Sequence, residues 1–323
     1  MLDPVFQRAR RILSRYLPQT RLVKSKSLQK SPAKQVCLKL ESELPTGSFK
    51  VRGAIYALSV HQNASGTREV VASSTGNHGA AVAYAAQLLG WKARIFLPEK
   101  NNPVKRNNIV RLGAEIVEKG AIDLAGAFEA AADYSQRTGA FFLNDATDPD
   151  LPAGPGTIAC EVFEQLDRVD EIYLPMGDTA LIRGVASAAK QISSNVKIIG
   201  VQSEHAPSYF LSWKAGRAIE TATCDTIADG LATRTPVAAN VDAIRGLVDD
   251  VVLVSEKEML QAIGRLLIDE HLVAEPAGAA ATTAFLKSKS GTSANVVLLV
   301  TGVNVSTEIL ERALTAYRET EIC

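Results

Sequence analysis

From residue 69 onward the chain alternates strand-like and helix-like segments joined by short turns, and this alternation limits the fold more than any other feature. EVVAS (69–73) reads as a buried strand, AAVAYAAQLLG (80–90) as an alanine-rich helix closed by Gly90, and ARIFLP (93–98) as the next strand. PVKRNNIVRLG (103–113) has proline at a helix start and glycine at its end. AEIVEK then reads as a short strand, IDLAGAFEAAADYSQRTG (122–139) as a long helix and AFFLN as a strand. GTIACEVFEQL, EIYLP, ALIRGVASAAKQI and VKIIGVQ continue the rhythm. VDDVVLVS, a helix over 255–269, a helix following EPAGAA and the strand NVVLLV (295–300) complete it. Units of this length demand parallel strands with helices on both faces, an α/β doubly wound architecture. Ligands in such sheets sit at the carboxyl ends of strands, near a switch in strand order. Residues 203–245 break the rhythm with an irregular, loop-rich stretch of the kind that supplies lids, interfaces or pocket walls.

Charge narrows the function classes. The 323 residues carry 35 Lys plus Arg and 35 Asp plus Glu, so there is no electrostatic case for nucleic acid or an anionic membrane. No apolar run reaches the length of a bilayer span. The opening MLDPVFQRARRILSRYL places Phe6, Ile12, Leu13 and Leu17 among arginines at helical spacing. Acidic Asp3 and the lack of a cleavage-like segment favour an amphipathic helix over a transit peptide. Cysteines 37, 160, 224 and 323 form no CxxC pair, and histidines 61, 78, 205 and 271 are scattered, so neither a zinc site nor a disulfide framework is expected. A cytoplasmic protein is the expectation.

The strand ends hold the chemistry. Lys50, in LPTGSFKVRGA (44–54), follows the apolar strand VCLKL (36–40). Burial would push its pKa toward neutrality, and a neutral amine is a nucleophile suited to an aldehyde cofactor; the plain alternative is a solvated lysine. After EVVAS comes STGNHGAA (74–81), a polar turn entering a helix N-terminus, which is a carboxylate site or simply a cap. After EIYLP comes MGDTALIRG (176–184), shaped like a phosphate cradle but with Asp178 where an anion should sit. After HLVA, read as a strand, Glu275 of EPAGAA stands at a helix start, where a capping acid is the commoner explanation. Thr301 of TGVN offers a hydroxyl at the end of NVVLLV.

Taken in order, SFKVRGA, SSTGNHG, the small-residue loop, EPAGA and TGVN resemble the fold-type II pyridoxal-phosphate enzymes, in the serine/threonine dehydratase and serine racemase branch. The resemblance runs from about residue 22 to about residue 305. It implies two doubly wound open sheets like those of the tryptophan synthase β chain. The active site would lie between a large domain, 1–65 plus 148–323, and a small mobile domain, 70–147. It implies that Lys50 carries pyridoxal phosphate and serves as the proton-transfer base, with Ser48 and Phe49 along the cofactor wall. Asn77 would meet the cofactor's 3-hydroxyl, while Ser74, Thr75, Asn77 and the amides through His78 and Gly79 hold the substrate carboxylate. Gly177, Asp178, Thr179, Ala180 and Leu181 would surround the phosphate, with Glu275 beside the cofactor and Thr301 at the pyridine nitrogen. A hydroxyl at that nitrogen leaves the ring a weaker electron sink, which favours direct loss of a β-leaving group. The implied activity is an ammonia-lyase converting a β-hydroxy amino acid such as L-threonine or L-serine to a 2-keto acid and ammonia. Hydroxyaspartate dehydration, racemisation and β-replacement are its rivals within the fold, and a binding protein that has lost the cofactor is the rival from another class. The resemblance also implies a homodimer of the short, catabolic type.

Three departures from the family's pattern bear on function. The phosphate loop is usually a run of glycines and here reads GDTAL, so Asp178 is expected to turn away or bond to backbone amides, with Arg183 offsetting its charge. The family's divalent-cation site uses an acid after the strand VKIIGV and another six residues on; Gln202 and Ser208 stand there, with Glu204 out of register, so that site is expected to be absent or replaced. NDATDPDLPAGPGT (144–157) keeps the AGxGT element but differs upstream, where members vary with substrate. Thr75 stands on the face opposite Lys50, where racemases carry a serine that returns the proton from the other side; its hydroxyl makes it the second candidate catalytic group, while its β-branch restricts its rotamers and favours elimination.

Overall fold

The computed structural model describes residues 2–29, 35–64, 66–99, 103–118, 120, 124–288 and 295–321. Its ten strands are β1 Leu22–Lys24, β2 Gln35–Leu40, β3 Glu69–Ser73, β4 Lys92–Phe96, β5 Glu115–Val117, β6 Phe141–Phe142, β7 Glu171–Pro175, β8 Lys197–Ser203, β9 Asp250–Val254 and β10 Asn295–Val300. The first six helices are α1 Pro4–Leu13, α2 Lys50–Ala64, α3 Asn77–Leu89, α4 Pro103–Arg111, α5 Leu124–Thr138 and α6 Ala153–Gln165. The rest are α7 Ala180–Ile192, α8 Ser208–Ala215, α9 Ala238–Leu247, α10 Glu256–Asp269, α11 Pro276–Lys287 and α12 Thr307–Glu321.

The strands form two sheets. One has six strands in the order β1-β2-β10-β7-β8-β9, and the other four in the order β5-β4-β3-β6. All pairings are parallel except that of β1 with β2. Strand periodicity assigns the faces of the larger sheet. Val296, Leu298 and Val300 pack with Leu38, Ile263 and Ala280 on one side, while Val297 and Leu299 pack with Cys37, Ile158 and Val185 on the other. The smaller sheet divides likewise: Val70 and Ala72 face α2 and α3, and Val71 faces Ala127 and Ala131 of α5. Near-continuous apolar strands are what burial on both faces requires.

The alternation is largely as read from the sequence, with local differences. The segment HLVA is not a strand: residues 271–275 run as irregular backbone, and His271 has φ 57°. Helix α3 begins at Asn77, so the polar turn itself becomes the first helical turn. The stretch 203–245 holds two helices, α8 and α9, and a 3-10 turn at Asp229–Leu231. Residues 122 and 123 of the expected long helix, and Cys323, lie outside the described residues. Lys39, within the apolar strand β2, is buried and bonds Glu161 at 2.6 Å. No described helix is long and apolar enough to cross a membrane.

Candidate active site

Lys50 is positioned by two segments distant in sequence. Residues 46–49 run beside 301–304: Phe49 N donates to the Thr301 carbonyl at 3.1 Å, Val303 N to the Gly47 carbonyl at 3.0 Å, and Ser48 bridges Gly302. Asn304 Nδ2 donates to the Thr46 carbonyl at 3.0 Å. Gly47 takes φ 67° in this turn, a left-handed conformation that glycine adopts without steric cost. The chain then enters α2 at Lys50, with Phe49 buried behind it and the Lys50 ammonium 5.7 Å from the Phe49 ring centre. Thr301 is buried beside them at the end of β10. Lys50 and Thr301 therefore stand together at the carboxyl ends of adjacent parallel strands.

The smaller sheet supplies the opposite wall. β3 ends at Ser73, and Ser74, Thr75 and Gly76 turn into α3. Gly79 is required there because a β-carbon would strike the Ser74 carbonyl. A β-carbon on Gly76 would meet nothing within 4 Å, so the turn borders open space. The first amides of α3 have no carbonyl one turn back and are available to an anion. Asn77 Nδ2 donates to Glu275 Oε1 at 2.7 Å, and its Oδ1 accepts from Asn304 Nδ2 at 2.7 Å. Glu275 occupies the N-cap position of α11 without a capping side-chain bond, so its carboxylate holds Asn77 rather than the helix end. Its own amide donates to Gly302 O at 3.0 Å, and a β-carbon on Gly302 would collide with the carboxylate. Buried His78 donates from Nε2 to the Leu143 carbonyl at 2.9 Å, tying this turn to the end of β6. Burial keeps the imidazole neutral by pushing its pKa down.

Gly177 to Leu181 form the turn from β7 into α7. Gly177 lies so close to the Gly230 carbonyl that any side chain there would clash. Asp178 turns its Oδ1 to the Thr233 hydroxyl at 3.2 Å. Burial, reinforced by neighbouring Asp145 and opposed by Lys50, raises its carboxyl to about 6. Thr179 is buried with φ 72°, a conformation costly for a β-branched residue. Its hydroxyl accepts from Arg183 Nε at 3.1 Å, and Arg183 also donates to the Ala146 carbonyl at 3.3 Å. Thr179→Gly relieves that strain but strips Arg183 of its hydroxyl partner, so a net loss of about 1 kcal/mol is expected, seen as a lower urea midpoint at unchanged slope.

One functional group escaped the sequence reading. Asp145 follows β6, which pairs with β3, so its loop lies beside the Ser74–Asn77 turn. Asn144 Oδ1 accepts from Ala146 N at 2.9 Å and shapes this loop. Asp145 Oδ2 stands 2.8 Å from Lys50 Nζ. Burial lowers the lysine's pKa as expected, but Asp145, Asp178 and Glu275 outweigh it, and the net shift is upward. The expected neutral amine is thus corrected: in this arrangement Lys50 is an ammonium. Burial pushes the Asp145 carboxyl up, yet the Lys50 charge and the lysine's hydrogen bond hold it well below the usual carboxylate range. The sequence signal for Asp145 was the departure upstream of AGxGT, which gave no direction for any side chain. Asn304 was equally within sight, inside TGVN.

The positions of the family's cation site are occupied by protein contacts. Gln202 Oε1 accepts from Phe210 N at 2.7 Å, and Ser208 Oγ donates to the Thr233 carbonyl at 2.5 Å.

Comparison with known proteins agrees with this geometry. A family model described as pyridoxal-phosphate dependent enzyme matches residues 13–302. An L-threonine ammonia-lyase of Thermotoga maritima is 36% identical over 306 residues, 95% of this chain and 76% of that protein. The solved structure of T.th. threonine deaminase has a TM-score of 0.88 at 32% identity, covering 95% of this chain and 99% of that one. That of maize serine racemase has a TM-score of 0.88 at 28% identity, covering 99% and 98%.

Proposed function

Because the chain belongs to the pyridoxal-phosphate dependent enzymes and takes pyridoxal phosphate as its cofactor, we propose that it is an ammonia-lyase converting a β-hydroxy amino acid, L-threonine or L-serine, to a 2-keto acid and ammonia. The observation that carries this reading is the 2.8 Å contact of Lys50 Nζ with Asp145, in the loop after β6 of the smaller sheet, next to the bond of Phe49 N to the Thr301 carbonyl at the end of β10 of the larger one. The donor set fits the cofactor. A lysine amine answers its aldehyde, first-turn amides of α7 answer its phosphate, and the open space over Gly76 leaves room for a substrate. When bound, the cofactor withdraws electrons from the substrate's Cα and so acidifies its hydrogen.

The residues around it do the rest. Lys50 accepts the Cα proton at Nζ once it is neutral. Ser74, Thr75 and the amides of α3, including that of His78, hold the substrate carboxylate and set the Cα–H bond toward the lysine. Asn77, braced by Glu275 and Asn304, is poised for the cofactor's 3-hydroxyl, and Phe49 supplies an apolar wall. Gly177, Asp178, Thr179, Ala180 and Leu181 would surround the phosphate, and Thr301 would meet the ring nitrogen. The unit 70–147 closes on 1–65 plus 148–323 to exclude water. The working form is a cytoplasmic homodimer, as the resemblance implies; the unpaired cysteines 37, 160 and 224 accord with a reducing compartment.

Keto-acid release from L-threonine and L-serine by the cofactor-loaded protein tests the activity; release of no keto acid from any β-substituted amino acid would refute it. The phosphate loop adds a pH test. Above about 6 the Asp178 carboxylate is ionised and repels a phosphate, so cofactor affinity of the apoprotein should fall as pH rises through about 6. Asp178→Asn should flatten that fall, measured by fluorescence titration with pyridoxal phosphate. A raised carboxyl also means that the folded state binds more protons, so folding stability decreases from the ordinary value, 3.8, up to about 6.

A further inference from the structure

We propose that Asp145 selects a substrate whose side chain carries a second, positively charged amino group, and that this cation replaces Lys50 as the partner of the carboxylate. The inference keeps the ammonia-lyase reading but exchanges its β-hydroxy substrate for one that loses a β-ammonium, and it rests on Lys50 being the cofactor lysine.

Asp145 and Lys50 are both partly buried, 23% and 17% exposed, and their charged atoms are 2.8 Å apart. Among the described residues no other cation takes over Asp145. Arg183 is committed to the Thr179 hydroxyl and the Ala146 carbonyl, and His78 donates to Leu143. A lysine joined to an aldehyde no longer presents an ammonium to its neighbour. Asp145 then keeps its charge without its partner, in a site where Asp178 and Glu275 also face the lysine. A half-buried carboxylate in that position needs a cation or becomes strongly unfavourable. The hydroxyl of serine or threonine brings a hydrogen bond but no charge, whereas a side-chain ammonium brings both.

The same pairing governs the base. Lys50 accepts a proton only as a neutral amine, and Asp145 stabilises its ammonium. A substrate cation on Asp145 neutralises that influence and releases Lys50 to act. Charge on the side chain and basicity of the lysine are therefore linked through one carboxylate. Asp145 itself is too acidic to deliver a proton to the leaving group, so its part is recognition and positioning.

The smallest substrate of this class is L-2,3-diaminopropionate, which matches L-serine atom for atom except that an ammonium replaces the β-hydroxyl. The Cα–H bond breaks with its proton passing to Lys50, and the Cβ–N bond breaks with its electron pair leaving on ammonia. The resulting 2-aminoacrylate tautomerises and is hydrolysed by water to pyruvate and a second ammonia, so two ammonia molecules appear per pyruvate.

The test uses the cofactor-loaded protein and Asp145→Asn, with L-2,3-diaminopropionate, L-serine and L-threonine as probes. Pyruvate or 2-oxobutyrate and ammonia are measured, together with the change in cofactor absorbance as each amino acid binds. The wild type should favour diaminopropionate over serine in kcat/KM by about 10- to 100-fold, the range of a charged hydrogen bond. Asp145→Asn should erase that preference and move the lysine-dependent limb of serine turnover to lower pH; Asp145→Glu should restore part of the preference. Serine or threonine used as well as diaminopropionate by the wild type would overturn the inference and leave the ammonia-lyase reading standing. An equal loss for all three probes in Asp145→Asn would overturn it too. If no keto acid forms from any probe, the ammonia-lyase reading falls and the absorbance titration decides alone. Tighter uptake of diaminopropionate that is lost in Asp145→Asn would then support charge selection, and equal uptake or no response would reject it.

Discussion

Lys50→Ala is expected to lower keto-acid formation by about 10,000-fold, because it removes the group that accepts the Cα proton and the amine that answers the cofactor's aldehyde. The absorbance of the lysine-bound cofactor should vanish with it, which separates loss of attachment from loss of folding. A second consequence follows from the ion pair. The depressed Asp145 carboxyl contributes stability that is present above the ordinary value, 3.8, and is lost as pH falls through its folded value. The raised Lys50 contributes stability below its ordinary 10.5 that is lost as pH rises through its higher folded value. Between those limits the apoprotein of Lys50→Ala should melt below the wild type, since Asp145 is left unpaired. The difference should shrink as the solution is acidified below about pH 4 and Asp145 takes up a proton. Equal melting temperatures across the whole range would refute the structural importance of the pair.

Arg52→Ala should destabilise the protein by about 3–5 kcal/mol, the range for stripping one member from a buried ionic network. Arg52 lies two residues beyond Lys50 in α2 and is 2% exposed. Its guanidinium binds Glu41 at 2.7 Å and Glu161 at 2.6 Å, and Glu161 also binds the fully buried Lys39. Thr20 adds a hydroxyl to Glu41 at 2.7 Å. Four charges, two of each sign, thus satisfy one another beneath the first turn of α2. Removing Arg52 leaves two carboxylates facing one lysine out of water. In the intact protein these same carboxylates drive the guanidinium pKa up against its burial, so Arg52 is charged at ordinary pH. Denaturant unfolding should show a lower midpoint with unchanged slope. Arg52→Met combined with Glu41→Leu should recover part of the loss, because an apolar pair leaves Glu161 with Lys39 alone. A variant as stable as the wild type would refute the network's role in seating α2.

What was legible in the sequence, and what was not, divides along one physical line. Strand periodicity and helix-ending glycines are local, and they gave the alternation from β3 to β10 and the small-residue turns at the strand ends. Gly90 closes α3 with φ 72°, as its place after QLL suggested. Side-chain direction is not local. Lys39 reads as one polar residue in an apolar strand, and nothing in VCLKL reveals that Glu161 waits for it across 122 positions. Burial of Lys50 was foreseeable, but the sign of its pKa shift depended on carboxylates at 145, 178 and 275 arriving at the same point. Glu275 looked like a cap because sequence neighbours suggest caps, and its actual partner, Asn77, is 198 residues away. The reading of HLVA as a strand failed because four apolar-leaning residues satisfy the pattern without any strand beside them to pair with.

The order of the larger sheet also has a bearing on how the chain is made. β10 comes last of the strands yet lies between β2 and β7, in register with both. A nascent chain that has emerged only as far as α11 therefore holds β2 and β7 with a gap between them, each presenting an unsatisfied edge to other chains. Nor can residues 46–49 find 301–304 at that stage, so Lys50 acquires its surroundings only once residues 301–304 have emerged. Catalytic competence and protection from aggregation thus arrive in a single late event, the insertion of one six-residue strand. Slow translation between α11 and β10 would lengthen the exposed interval, and chaperone occupancy on ribosome-arrested chains carrying a C-terminal linker should drop sharply once β10 clears the exit tunnel.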